Sequence, residues 1–195
     1  RFRSSTNRAP RKITKGKIGE ELEAILELKV IADIGLIGLP NSGKSSFLKM
    51  ATRAKPKIAN YPFTTLNPNL GVLKIYEKEY VIADIPGLIE GAHKGIGLGI
   101  KFLKHIERCK SLIHLIDITE KDFYNNYMII RNELKKYNKD VSKKKEVVLL
   151  NKIDLINEDE KRKKIKEFKQ IYKKKFYCIS ILQKSNINNI IRSIC

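Results

Sequence analysis

Tryptophan is absent from this 195-residue chain, methionine occurs twice and cysteine three times. Cys109, Cys178 and Cys195 are odd in number and follow no Cys-x-x-Cys or Cys/His ligand spacing, which leaves no zinc pattern and suits a reducing compartment. No apolar run approaches the roughly 18 residues that suggest a membrane span, and Arg1-Phe2-Arg3-Ser4-Ser5 lacks the apolar core of a signal peptide. The chain therefore reads as soluble and internal. Acids are scarce, 21 Asp plus Glu against 40 Lys plus Arg, for a formal charge of +19. That excess suits nucleic acid or an anionic membrane surface, but an AT-rich coding bias toward Lys, Asn and Ile produces it equally well. An initiating Met is also missing, so the sequence is expected to begin partway through a longer chain. What is present is enough apolar material, 42% of residues, for one full-sized domain.

Residues 1–28 read as a basic tail or linker, and 29–195 as the folded domain. Beyond Gly38, short apolar runs alternate with longer amphipathic stretches, the pattern of a parallel sheet covered by helices. Strands are expected at 31–37, 70–75, 80–84, 111–117, 146–151 and 176–180. The link between the second and third is too short for a helical crossover, so those two should pair antiparallel. Helical stripes are Tyr127, Ile130, Leu134 and Tyr137; Ile165, Phe168 and Tyr172; and Ile187, Ile190, Ile191 and Ile194. These stripes belong to core. The expectation is an α/β fold with a mostly parallel six-stranded sheet, one antiparallel edge strand and helices on both faces.

After the first strand comes Gly38-Leu39-Pro40-Asn41-Ser42-Gly43-Lys44-Ser45, then the helix-like Ser46-Phe47-Leu48-Lys49-Met50. Strand, glycine loop and helix in this order make a P-loop. Its amides and the helix N-terminus supply positive potential, Lys44 reaches the outer phosphates and Ser45 offers a hydroxyl to Mg2+. Asp84, at the carboxyl end of another strand in Asp84-Ile85-Pro86-Gly87, is placed to hold that Mg2+ through a water, and the Gly87 amide to face a terminal phosphate. In Asn151-Lys152-Ile153-Asp154 the Asp154 carboxylate can accept two hydrogen bonds from guanine, a donor pair adenine lacks, which selects GTP over ATP. Within Asn60-Tyr61-Pro62-Phe63-Thr64-Thr65-Leu66-Asn67, Thr65, or its neighbour Thr64, can complete the metal shell only when a γ-phosphate is present. Gly91, Gly95, Gly97 and Gly99 are expected to form a mobile loop, with Gly95-Ile96-Gly97-Leu98-Gly99 a hinge. His93, His105 and His114 have no metal spacing with the cysteines, and His114, inside a strand, is expected in the core or against a helix. Lys143-Lys144-Lys145 and Lys173-Lys174-Lys175 read as solvated surface or as partner contacts.

The segments Tyr61 to Leu66, Asp84 to Ala92, Gly95 to Arg108, and Ser5-Thr6-Asn7-Arg8-Ala9-Pro10-Arg11 resemble the Obg family of GTPases over almost the whole chain. A monomer is expected; the resemblance implies a P-loop NTPase G domain, a Mg2+-dependent GTPase turning GTP into GDP, and a bacterial-type cytoplasmic or organellar setting. It also implies the large ribosomal subunit or its rRNA as partner. Ser5 to Arg11 resembles the tail of the family's glycine-rich N-terminal domain, whose body this sequence does not contain. The family's last guanine loop usually reads Ser-Ala, whereas this chain has Ser180-Ile181-Leu182, a bulkier fit around the base.

The water-orienting glutamine of many small GTPases falls at Leu88. Missing a water-positioner or arginine finger costs roughly 10³ to 10⁵ in rate, so slow hydrolysis is expected, with Lys44, Thr65 and Gly87 as the catalytic set. The resemblance implies that Asn41 helps hold a K+ ion that adds positive charge. A GTP-dependent binding module with negligible turnover is the rival from another class, and an ATPase is disfavoured by Asp154.

Overall fold

Leu112-Ile113-His114-Leu115-Ile116 is apolar at almost every position, so it suits only a strand covered on both faces. In the computed structural model it lies in the fifth strand, near the middle of one sheet. The structure describes residues 6, 15–24, 32–52, 57–58, 68–75, 77–84 and 98–184. In chain order the elements are β1 (Ala32–Ile37), α1 (Lys44–Ala51), β2 (Lys57–Ile58), β3 (Asn69–Ile75), β4 (Lys78–Asp84), α2 (Leu98–Glu107) and β5 (Cys109–Asp117). They continue with α3 (Phe123–Tyr137), a short α4 (Lys139–Ser142), β6 (Lys145–Asn151), α5 (Glu158–Ile171) and β7 (Phe176–Cys178).

The strand order is β2-β3-β4-β1-β5-β6-β7. β4, β1, β5, β6 and β7 run parallel, while β3 is antiparallel to β4, with Ile75 opposite Lys78 at their hairpin. All six expected strands are there. A seventh, the two-residue β2, extends the sheet outward by pairing antiparallel with β3. Two residues carry no readable alternation, so nothing in the sequence marks it.

Parity along β5 separates two cores. Ile113 and Leu115 pack with Phe47, Leu48 and Ala51 of α1, whereas Leu112 packs with Leu103 and Ile106 of α2 and Ile130 and Leu134 of α3. Ile116, on the α3 face, joins Phe123 and Tyr127 to Phe168 and Tyr172 from the α5 side. Helices thus cover both faces, and the two expected stripes that fall in α3 and α5 point inward; the third, Ile187 to Ile194, lies outside the described residues. His114 is fully buried against the Tyr127 ring, 5.2 Å between centroids, with Nδ1 2.9 Å from Glu146 Oε1. It is a core residue on the helix-facing side.

One expectation needs correction. The glycine spacing makes Leu98 and Gly99 the end of a flexible hinge, but they open α2. Leu103 and Ile106, three apart and fully buried, anchor that helix and carry its first turn through the glycine. Gly91, Gly95 and Gly97 lie outside the described residues. Residues 15–24 have no regular secondary structure and are exposed throughout.

Candidate functional site

Between Ile37 and Lys44 the backbone must leave a strand and reverse into a helix, and two glycines make this possible. Gly38 has φ 151° and Gly43 φ 100°; a Cβ at Gly38 would run into the Leu115 carbonyl oxygen and Ser42 Oγ, and one at Gly43 into Asn151 Nδ2. α1 then starts with no side-chain cap at Gly43 and no acid in its first turn. The first N–H groups of a helix have no intrahelical acceptor, so this end of α1 is open to an anion. The Lys44 ammonium donates to the carbonyl oxygens of Gly38 and Leu39, both at 2.9 Å. Burial lowers its pKa, and the charge of Asp84 opposes that shift.

Asp84 ends β4 beside this loop because β4 and β1 are in register, Leu36 opposite Asp84. Its Oδ2 accepts from Ser45 Oγ at 2.5 Å, while Oδ1, in a residue 2% exposed, has no partner. A buried carboxylate oxygen without a partner, next to a hydroxyl and an open helix end, is a donor set that fits Mg2+. No cluster of three or more His, Cys, Asp or Glu suited to a metal occurs among the described residues, so such an ion would rest on one carboxylate, hydroxyls and phosphate oxygens.

The other half of the site comes from the ends of β6 and β7. Asn151 donates from Nδ2 to the Ser42 carbonyl at 2.9 Å and accepts from the Ile181 amide at Oδ1, 3.3 Å away. One side chain therefore ties the P-loop to the segment after β7. Lys152 takes a left-handed conformation, φ 68°, and its ammonium pairs with Asp117 Oδ2. Asp117 Oδ1 accepts from Thr119, at 3.0 Å from its amide and 2.6 Å from its hydroxyl. Burial would raise the Asp117 pKa, but the Lys152 and Thr119 hydrogen bonds outweigh it and hold the carboxyl below its ordinary value. Asp154, part-exposed on the 3-10 turn Ile153–Leu155, shares with Asn41, Gly43, Lys152, Ile181 and Leu182 the wall of a cleft of about 940 Å³.

The structure thus brings together Gly38 to Ser45 with Asp84 on one side, and Asn151 to Asp154 with Ser180, Ile181 and Leu182 on the other. Phe63, Thr64, Thr65, Leu66, Asn67, Ile85, Pro86, Gly87, Leu88 and His93 lie outside the described residues.

A family model described as "50S ribosome-binding GTPase" matches residues 33–152. The chain belongs to that family. It is similar to a GTPase Obg of Pelagibacter ubique, 58% identical over 190 residues, which span 97% of this chain and 58% of the relative. A GTPase Obg of Rickettsia rickettsii is 52% identical over 191 residues, 98% of this chain and again 58% of the relative. The resemblance to Obg read from the motifs is borne out, and the chain spans little more than half the length of these relatives. Among solved structures, a single-substitution variant of Era from Aquifex aeolicus, bound to GDP.AlF4-, superposes with a TM-score of 0.63 at 24% identity, over 84% of this chain and 55% of that one. Its likeness supports the P-loop GTPase fold.

Seen as a member of this family, the chain holds two site features that sequence reasoning passes over. The sequence marks Asp117 only as the end of a strand, although it stands at the carboxyl end of β5 as Asp84 does at that of β4, and the same positional rule could have found it. Lys164 of α5 donates to the Ile118 carbonyl at 2.7 Å and so steadies the loop carrying Thr119. No sequence signal links those positions.

Proposed function

We propose that the chain binds GTP in this cleft, hydrolyses it slowly and works as a switch on the large ribosomal subunit. The observation that carries the reading is Asn151, which joins the P-loop and the Ser180–Leu182 segment in one hydrogen-bonded unit, with Asp154 on the same cleft wall. Phosphates belong at the α1 end, where Lys44 and the open helix amides supply positive charge. The base belongs at the Asp154 end, with the Ile181 backbone and the Lys152 side chain, held by Asp117, beside it.

Ser45 and Asp84, joined by Thr65 in the GTP state, would hold Mg2+, which when bound offsets charge on the β- and γ-phosphates. The chain's own part in hydrolysis is positioning: Lys44 on the outer phosphates, the Gly87 amide toward the γ-phosphate and Thr65 ordering its loop around it. Leu88 brings no group that could orient water, so the isolated chain is slow until a partner or ion completes the site. Asn41, exposed on the loop at φ 62°, is the residue through which K+ would add charge. Initial rates in KCl should then exceed those in NaCl, and the difference should vanish in Asn41→Ala; equal wild-type rates would remove the ion from the account.

Support for the ribosomal partner is the family description and the Obg relatives. The division at residue 28, a cytoplasmic setting and a monomeric state are parts of the same proposal; no helix among the described residues is long and apolar enough to cross a membrane. The test is co-sedimentation with large ribosomal subunits under GTP, GDP and no nucleotide, together with multiple-turnover phosphate release. GTP-dependent pelleting with stimulated release is expected. Release at background even with subunits present would favour the rival binding module, which the +19 charge supports.

A further inference from the structure

The lysine triplets at 143–145 and 173–175 are left unused by the nucleotide cleft, and the topology makes them neighbours. β6 and β7 are adjacent and parallel with Val148 opposite Phe176, so Lys145 and Lys173, each three residues upstream, come level with one another. Asn151 closes β6 at the other end, by the cleft, and Ser180 follows β7 there. A seven-residue strand such as β6 puts the triplets about 20 Å from it. α3 and α5 run back against the sheet and end at this far edge with Lys135 and Lys136, and with Lys169. At the cleft edge α5 begins instead with Glu158-Asp159-Glu160. Lysines from two strand starts and two helix ends thus gather at the edge away from the nucleotide, whereas at the cleft end of α5 three acids are offset by Lys161 to Lys164.

Basic residues in the last turn of a helix offset its dipole, which accounts for Lys135, Lys136 and Lys169. Lys144 is committed to the carbonyls of Glu107 and Cys109, and Lys174 acts on the buried Glu146. Lys143, Lys173 and Lys175 remain exposed with no such explanation. The pair of Lys143 with Asp140, 3.5 Å apart with side chains 74% and 88% exposed, is too solvated to hold it, and the Lys175 ammonium, 5.0 Å from the Tyr177 ring centroid, keeps its charge at the surface. Lys169, Lys173, Lys174 and Lys175 rim an open groove of about 590 Å³ floored by Tyr172 and Phe176. Tyr172 is buried, and Phe176 and Tyr177 are half-buried, so the groove presents cations along a ridge without an exposed aromatic on which bases could stack.

We propose that this edge, formed by the starts of β6 and β7 and the end of α5, docks the phosphodiester backbone of a structured RNA. The contact reads charge and shape. It rests on the ribosomal reading for its choice of RNA and is independent of the nucleotide assignment.

The test is fluorescence anisotropy of a labelled RNA duplex of about 20 base pairs with the full chain, at about 50 and 200 mM KCl. The triple variant Lys143→Glu, Lys173→Glu, Lys175→Glu should bind at least about tenfold more weakly and lose about three counterions from the salt slope. A control with the same charge change on exposed residues at the cleft end of α3 and α5, Lys121→Glu, Arg162→Glu, Lys163→Glu, should lose much less. Thermal unfolding checks that each variant is folded; if the glutamate triple is not, the Lys→Gln triple replaces it, with a smaller loss in the same order. Equal losses in both triples, or none in either, would overturn the proposal. So would equally tight, equally lysine-dependent binding to vesicles of roughly one part phosphatidylserine to three parts phosphatidylcholine, which would make the edge a membrane surface. If ribosome co-sedimentation fails while duplex binding through these lysines persists, the edge stands and the ribosomal partner falls.

Discussion

The N-termini of α1 and α5 are built in opposite ways. α5 is completed by its own residues: Asn157 accepts from the Glu160 amide at 2.8 Å, and Glu158, Asp159 and Glu160 place negative charge in the first turn. α1 has a glycine in a left-handed conformation at its cap, no side-chain acceptor there and no acid in its first turn. Both helices lie on one sheet and both need their leading amides satisfied. The difference is that α5 is capped by its own side chains, whereas α1 follows two close-packed glycines and starts with Lys44 and Ser45, an end whose open amides suit an anion.

The largest effects should come from removing what would hold that anion. Lys44→Ala is expected to weaken GTP binding by about 100-fold or more, since a charge-assisted contact to phosphate is lost; titration calorimetry with GTP and Mg2+ reads it. Asp154→Asn should cost about 100-fold as well, but at the base. ATP binding separates the two: Asp154→Asn narrows the gap between GTP and ATP, and Lys44→Ala leaves it unchanged.

A smaller change would make α1 resemble α5. Ser46→Glu puts an acid in the first turn of α1, where Ser46 is exposed, and should weaken GTP binding roughly three- to tenfold by occupying the same positive potential. An unchanged affinity would break the comparison. The reciprocal Glu158→Ser in α5 should leave GTP binding alone. Smallest of all, Asn157→Ala should cost about 1 kcal/mol of stability through the lost cap, visible as a lower denaturation midpoint with GTP affinity intact.

The P-loop was legible because its requirements are local: two glycines, a lysine and a serine at fixed offsets between a strand and a helix. Asp84 was legible by position, at a strand end where open α/β sheets bind ligands. What stayed hidden was made by distance. Asn151 is marked as a site residue by its motif, but its ties to Ser42 and Ile181 join positions 109 and 30 residues away. The same holds for Lys152 and Asp117, 35 residues apart. Pattern within a window cannot show such pairs; only the parallel register of β5, β6 and β7 brings them to one edge. α2 stayed hidden for a different reason, since its first turn carries a glycine from a run that reads as loop.

The proposed preference of the cleft for guanine rests on Asp154 and is open to direct measurement. Titration of the chain with GTP, GDP and ATP in Mg2+, side by side, measures it. GTP and GDP should bind with ATP at least about 100-fold weaker, and Asp154→Asn should erase most of that gap. ATP binding as tightly as GTP, or an Asp154→Asn variant with unchanged GTP affinity, would contradict it.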